Sequence, residues 1–323
     1  MKKYYNFLIL LLFFIVSSCT NKDEVIKRKT FTMGTIMEIQ VSGVSKEVAD
    51  KAITKAISEI EKLNTLYSTY KEDNYIWELN HSDSDTIKVF PETYKFLQYC
   101  DTAYKLTDGN FDAAIGNFIE LLGFEKDKPD VPSEEAVKNV LKKVGWKHIK
   151  LLPDDQLYKP KDIKLSFNAF LPGYAADLAG QILESYGITE YLINAGGEIY
   201  GVGKDWMVGI QHPRKKDTLM GSIVINGWGV ATSGDYERYF KKNGKRYSHI
   251  INPLTGYPVQ GCEAVTIIAE TAVMADYLST GVFAAGPEKG MEIIEKLPDV
   301  EGIIVDTSGV VRQSLGFKKF FRR

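Results

Sequence analysis

The sequence predicts a fold that mixes α and β throughout, on three observations. Apolar residues recur at helical spacing in several stretches, as in Ala49, Ile53, Ile57, Ile60 and Leu63. Between them lie short runs of strand character, such as Thr35, Met37, Ile39 and Val41 alternating with Ile36, Glu38 and Gln40. No repeat of fixed period and no low-complexity linker divides the chain, so no clean internal domain boundary is visible.

The chain opens on Met1-Lys2-Lys3, followed by an almost unbroken apolar run from Phe7 to Val16 and then Val16-Ser17-Ser18-Cys19. The run is short for a spanning helix and ends sharply, so it reads as a processing segment. The order resembles a bacterial lipoprotein signal cleaved before a lipidated Cys19. A signal anchor left in place is the alternative, and either way the working domain lies outside the cytoplasm. The expected organisation is a signal peptide over 1–18, the lipidated cysteine with a polar tether over 19–30, and the working domain over 31–323. Acyl chains on Cys19 would hold the protein to membrane lipid.

Within the working domain the first expected strand is 35–41. Helices follow over about 47–66 and 92–106. Residues 107–124, rich in Gly, Asp and aromatic residues, read as a functional loop or broken helix. Ser133, with Glu134 and Glu135 behind it, caps a helix ending near Val144-Gly145. Residues 146–165 read as short strands with turns at Pro153-Asp154 and Pro160-Lys161. A helix from Gly173-Tyr174 to Tyr186 is stopped by Gly187, and the strand 191–194 breaks at Ala195-Gly196-Gly197. The last third alternates strands (206–210, 220–226, 263–269, 301–304) with helices near 234–241, 271–285 and 287–295.

Composition removes several function classes. Forty basic against 42 acidic residues give a formal charge of −2, which offers a nucleic-acid backbone nothing to grip. Apolar content of 44% and charged content of 25% are those of a folded globular domain. Beyond Cys19 only Cys100 and Cys262 remain. They could pair in an oxidising compartment, but a domain of this size does not need the bridge, and two buried free thiols are expected.

Three groups of residues carry possible chemistry. Asp276 and Thr280, four apart on a helix, put two oxygens on one face and suit a hard cation such as Mg²⁺. Without context the same spacing also describes a surface pair. His249, one of four histidines, precedes a tight turn at Asn252-Pro253 and Thr255-Gly256. It reads equally as a proton acceptor or as a half-buried ring bonded to a carbonyl. The glycine breaks at 194–198 and 231–236 could bring backbone amides to a ligand, but neither has dinucleotide-fingerprint or P-loop spacing, and Ser233 lacks a nucleophile elbow. Thr107-Asp108-Gly109-Asn110-Phe111-Asp112 is open to a binding role or a turn role.

Together these segments resemble the ApbE family, the FAD:protein FMN transferases once described as thiamine-biosynthesis lipoproteins. The resemblance begins at Thr32-Met33-Gly34-Thr35, then takes in Leu66-Tyr67-Ser68-Thr69-Tyr70 and Thr107 to Gly116. It continues through Gly173-Tyr174-Ala175-Ala176-Asp177, Asn194-Ala195-Gly196-Gly197, Ala231 to Tyr236, Arg246 to Ile251 and Ala275-Asp276 through Thr280. The blocks stand in family order over nearly all of the mature chain. The resemblance implies an α+β fold of two entwined mixed α/β lobes with a nucleotide cleft between them. It implies Mg²⁺-dependent transfer of FMN from FAD, the substrate, to a serine or threonine of an acceptor protein, with release of AMP. Acceptors of the family are extracytoplasmic parts of membrane redox complexes.

Matched residue by residue, Asp276 and Thr280 fall on side-chain Mg²⁺ ligands and Ala169 on a position giving a backbone carbonyl. His249 falls on the histidine that assists removal of the acceptor proton. Met33, Ser68, Thr69, Tyr70 and Asp112 fall on FAD contacts. Two positions depart from the pattern beside the nucleotide. Ser166 stands where aspartate is common, and Pro172 replaces the usual lysine, removing a charge and an N–H. Asn74 also replaces a common serine. The competing readings are FAD hydrolysis to FMN and AMP, and FAD binding without catalysis. Acceptor identity and oligomeric state are not encoded in any of these residues.

Overall fold

The computed structural model describes residues 25–124 and 129–322, so the 1–18 leader and Cys19 lie outside the described residues. Strand β1 (Ile26–Thr32) runs antiparallel to β2 (Thr35–Ser42), with Thr32 opposite Thr35. Met33 and Gly34 between them have φ of 51° and 76°. Positive φ at both positions makes the type I′ turn, whose twist matches the strands it joins. Within the described residues β1 starts at Ile26, inside the 19–30 span expected as tether. Its sequence hid it: Lys27 and Lys29 face solvent, and Arg28 reaches Asp50 at 2.6 Å, the polar pattern of an edge strand.

Helix α1 (Lys46–Tyr67) is capped by Ser45, whose side chain accepts the Val48 N–H, and buries Ala49, Ile53, Ile60 and Leu63. Helix α2 (Tyr75–Asn80) starts at Asn74, whose Oδ1 accepts the Trp77 N–H at 3.0 Å while its Nδ2 donates to the Ser68 carbonyl at 2.8 Å. Strand β3 (Thr86–Lys88) precedes α3 (Pro91–Leu106). The Gly- and Asp-rich segment holds a loop and then a short helix, α4 (Gly116–Leu122). Ser133 caps α5 (Glu134–Leu141), which stops short of Val144. Strands β4 (Lys150–Leu152) and β5 (Gln156–Tyr158) join β3 in a small sheet of order β3-β5-β4. Helix α6 (Leu171–Ser185) opens two residues before Gly173, with Pro172 in its first turn, where a missing N–H costs no helical bond.

Strands β6 (Glu190–Ala195), β7 (Ile199–Val202), β8 (Trp206–Gln211), β9 (Leu219–Ile225) and β10 (Trp228–Gly234) follow. The helix expected near 234–241 is not there. The chain instead turns after β10 into a hairpin of β11 (Tyr239–Lys242) and β12 (Lys245–Ser248). Phe240 stacks on Tyr247 across it, centroids 5.1 Å apart, and Asn243 and Gly244 supply a second turn with positive φ at both centres. Short strands β13 (Ile251–Asn252) and β14 (Tyr257–Pro258) lead to β15 (Cys262–Ala269), α7 (Ala272–Ala285) and α8 (Pro287–Lys296). Strands β16 (Glu301–Asp306), β17 (Val311–Gln313) and β18 (Phe321–Arg322) end the described chain.

Eight strands form one antiparallel sheet in the order β1-β2-β6-β7-β10-β15-β16-β17. Helices α1 and α6 cover one face around Met37, Ile39, Val41 and Ile193, with α7 beside α6 on β10 and β15. The three-stranded sheet β18-β9-β8 covers part of the other face through Trp206, Val208, Ile223 and Ile268. β15 is therefore buried along its whole length. A second lobe gathers α2 to α5 and the small sheet around Tyr67, Phe96, Phe167 and Tyr174, whose rings meet edge to face at 4.7–5.8 Å. The chain returns to that lobe late, where the turn at Gly256 touches Phe118 and Val137. This α+β arrangement of two interlaced lobes is the one expected. Cys100 is buried in the helical lobe and Cys262 at the start of β15, both as free thiols.

Candidate functional site

A cleft of ≈ 1090 Å³ opens where the lobes meet. Its floor is set by the contact between α6 and α7. Thr271 caps α7 by accepting the Met274 N–H, and Asp177 of α6 accepts the N–H groups of Ala272 and Val273, each at 2.9 Å. Three of the four free amides of that helix end are thereby satisfied by side chains. The same contact brings Gly173 against α7: a Cβ built there would lie 2.5 Å from the Ala272 carbonyl oxygen and 2.8 Å from Asp276 Cβ. Only glycine allows this approach, and the Gly173 N–H then donates to Asp276 Oδ2 at 2.9 Å.

Asp276 and Thr280 point together into the cleft from α7, as the i,i+4 spacing predicts. Asp276 is 6% exposed. Burial first, and then the negative charge of Glu198 across the cleft, push its carboxyl well above the ordinary range. Glu198 is itself raised, by burial and by Glu237. Thr280 Oγ1 lies 3.4 Å from Ser233 Oγ, which meets Ser279 Oγ at 2.8 Å. Ala169 lines the same wall just before α6. Among the described residues no three His, Cys, Asp or Glu side chains gather into a metal centre. The Asp276 carboxylate and the Thr280 hydroxyl are oxygen donors of the kind a hard divalent cation takes, with its remaining ligands left to carbonyls, water or phosphate.

His249 stands on another wall, just after β12. Its backbone N–H donates to the Arg238 carbonyl at 2.9 Å, and its Nδ1 lies 3.2 Å from the same oxygen. A carbonyl only accepts, so the neutral ring carries its proton on Nδ1 and leaves Nε2 as the basic atom. Burial, reinforced by the Arg238 charge, holds the ring's pKa down at about 4. The two readings open from sequence thus combine: the ring is bonded to a carbonyl, and that bond fixes which nitrogen can accept a proton.

Met33, Ser68, Tyr70, Asp112 and Pro172 also line the cleft. Asp112 accepts the N–H groups of Ala114 at 2.7 Å and Trp146 at 2.9 Å, and burial still raises its carboxyl to about 6. The Tyr70 hydroxyl accepts from the Arg238 guanidinium. Thr69 is the exception, because it does not line the cleft and instead accepts a hydrogen bond from Asn168 Nδ2 at 2.9 Å. Thr69 and Tyr70 sit in a turn closed by the Lys71 N–H on the Ser68 carbonyl at 3.4 Å. The lipidation site Cys19 lies outside the described residues.

The sequence reading missed Glu198, Glu237 and Arg238 as cleft residues and Asp177 as the anchor of α7. Glu198 had a signal, standing directly after a glycine pair whose N–H groups both donate to Asn194 Oδ1. Glu237 and Arg238 had none, since they reach the cleft through a buried ion network. Asp235 takes a bidentate pair from Arg214 at 2.6 and 2.7 Å and a further bond from Arg246 at 3.2 Å, which pins the turn that carries them.

Comparison with known proteins gives a consistent result. The model of the ApbE family matches residues 33–304. The chain is 32% identical over 302 residues to the FAD:protein FMN transferase of Escherichia coli K12, covering 88% of this chain and 84% of that one. It is 27% identical to that of Treponema pallidum, covering 93% and 90%. The crystal structure of the ApbE protein of Thermotoga maritima superposes with a TM-score of 0.86 at 32% identity, covering 93% of this chain and 100% of that one. The flavin transferase ApbE of Vibrio cholerae gives 0.80 at 26%, covering 92% and 99%.

Proposed function

The chain belongs to the ApbE family, and from that premise we propose that it transfers FMN from FAD to a serine or threonine hydroxyl of an acceptor protein, releasing AMP. The observation that carries the reading is one cleft holding, on one wall, an uncharged histidine with a free Nε2 and, on another, carboxylate and hydroxyl oxygens suited to a divalent cation. Asp276, Thr280 and the Ala169 carbonyl would hold Mg²⁺, which when bound neutralises diphosphate charge and stabilises the leaving AMP. FAD would lie along Met33, Ser68, Tyr70, Asp112 and Pro172.

This chain's residues then have separable tasks. His249 Nε2 takes the proton of the acceptor hydroxyl as its oxygen attacks the FMN phosphorus, and the bond from that phosphorus to the AMP oxygen breaks. The Arg238 carbonyl keeps the ring in the right tautomer. Cationic Arg238, Lys29 and Lys71 line the same cleft and face the substrate's phosphates in place of the lysine that Pro172 replaces. The flavin is cargo, and its redox chemistry belongs to the acceptor.

Anchoring through an acylated Cys19, on the extracytoplasmic side, completes the reading. No helix among the described residues is long and apolar enough to cross a membrane. The test combines the purified protein with FAD, Mg²⁺ and an extracytoplasmic domain of a membrane redox complex, reading intact acceptor mass and free AMP. FMN mass on the acceptor, lost in His249→Ala and Asp276→Ala, is expected. AMP without labelled acceptor would assign hydrolysis, and bound FAD with neither product would assign a binding protein.

A further inference from the structure

The transfer reading requires a protein hydroxyl to be delivered into the cleft, so part of the acceptor must rest at its mouth. The β1–β2 hairpin forms one side of that mouth, and Lys29, Gly34, Thr35 and Ile36 line the cleft. Phe31 is 73% exposed and Ile36 59% exposed, and they stand directly opposite each other in register. The turn fixes what that register means. Thr32 and Thr35 flank a two-residue type I′ turn and form a hydrogen-bonded pair, so Phe31 and Ile36 are the next, non-bonded pair, whose side chains approach closest. Two large apolar side chains are thus held together in solvent at the edge of the cleft.

The same alternation turns the N–H and C=O of Phe31, Lys29 and Lys27 outward. β1 is the terminal strand of the sheet, and among the described residues no strand pairs with its outer edge. The edge leads to the reacting groups. A Cβ built on Gly34 at the hairpin tip would lie 3.3 Å from Arg238 Nη2, and the Arg238 carbonyl holds His249. Other exposed apolar side chains include Met207 on β8, Leu219 on β9 and Leu254, and Leu315, which follows β17 at the opposite edge of the main sheet; none of them is on the strand whose edge is free beside the cleft.

We propose that the Phe31–Ile36 face and the free edge of β1 form the docking surface for an extended segment of the acceptor protein. The segment adds as a strand along β1, sets an apolar side chain on Phe31 and Ile36, and passes its hydroxyl-bearing residue over the hairpin tip toward His249. This rests on the transfer reading, and the experiment separates the two.

The probe is an extracytoplasmic domain of a membrane redox complex bearing an acceptor threonine, used with the full protein and with the double variant Phe31→Thr, Ile36→Thr. Threonine keeps strand propensity, and both native side chains are exposed, so the fold is retained and thermal unfolding checks it. The double variant is expected to raise the acceptor KM about tenfold while the KM for FAD stays within twofold of wild type. An unchanged acceptor KM, or an equal shift in both constants, overturns the proposal. Where the wild type labels no acceptor, the transfer reading fails. Fluorescence anisotropy of the labelled domain then decides docking: weaker binding by the variant upholds it, and equal or absent binding overturns it. Ultracentrifugation of the protein alone is the third arm. A dimer abolished by the double variant would assign the face to a second copy and overturn the proposal.

Discussion

Replacing Gly173 by alanine asks whether the α6–α7 contact sets the geometry of the cleft. The new Cβ would meet the Ala272 carbonyl oxygen at 2.5 Å and Asp276 Cβ at 2.8 Å. A relaxed carbon–oxygen contact needs about 3.5 Å, so the helices must separate by roughly 1 Å. The obstacle on α7 is backbone, and α7 is fixed from behind by its packing on β10 and β15, so no side chain can swing aside. Overpacking of this kind costs about 1–3 kcal/mol. The gain in helix propensity, at most about 1 kcal/mol in a helix interior, is small in a first turn. A net loss of about 1–2 kcal/mol corresponds to a fall in Tm of about 2–6 °C for a chain of this length. The functional effect is larger, because the shifted backbone carries Asp276 and stretches its bond from the Gly173 N–H. A displacement near 1 Å is expected to lower kcat about 10²-fold. The assay is FMN transfer across a Mg²⁺ titration, paired with thermal unfolding. A Gly173→Ala protein with wild-type kcat and Mg²⁺ dependence would refute the argument that this contact positions the carboxylate.

Further outcomes follow from the same geometry. Burial and Arg238 hold His249 at about 4, so the neutral base persists on acidification: with Mg²⁺ kept saturating at every pH, the ring contributes no break near 6.5 and limits kcat/KM only as pH approaches 4. His249→Ala should lose about 10²- to 10⁴-fold in transfer while still binding FAD, and an NMR titration of the ring itself centred near 6.5 would contradict this environment. The Asp276 carboxyl is raised in the metal-free protein and must shed its proton to hold a cation, so Mg²⁺ should bind more tightly as pH rises and release protons. Calorimetry in buffers of differing ionisation enthalpy reads that release, and a pH-independent affinity would oppose it. Asn74→Ala removes both the α2 cap and the bond to the Ser68 carbonyl. It should cost about 1 kcal/mol in urea unfolding and raise the KM for FAD, whereas loss of stability alone would confine Asn74 to capping.

What could be read beforehand divides along physical lines. α1, α3, α5 and α6 were legible because apolar stripes and, at α5, the Ser133 cap are local signals. β1 was not, because Lys27 to Thr30 carry the polar alternation of an edge strand rather than an apolar run. Residues near 234–241 read as helix, though Tyr239–Lys242 is a strand by virtue of its pairing with Lys245–Ser248. The Asn243-Gly244 turn was the local cue that could have shown it. In the site, Asp276 and Thr280 were legible as a pair since one helix spaces them. Their approach to Gly173, about 100 residues away, and to Glu198 depends on sheet order, which no local pattern encodes. Ser68 and Tyr70 line the cleft and Thr69 does not, because a resemblance in sequence does not say which way each loop residue turns.

The two thiols give the protein an internal clock. Burial raises Cys262 to about 12 and pushes Cys100 well above the ordinary thiol range, so neither is a nucleophile in the closed molecule. One lies in the helical lobe and the other where β15 enters the main sheet. Both belong to one continuous buried cluster, so a thiol reagent can reach either only when the packing around it opens, and labelling rates measure that opening at two points of the same core. A ligand that tightens this core should slow both rates.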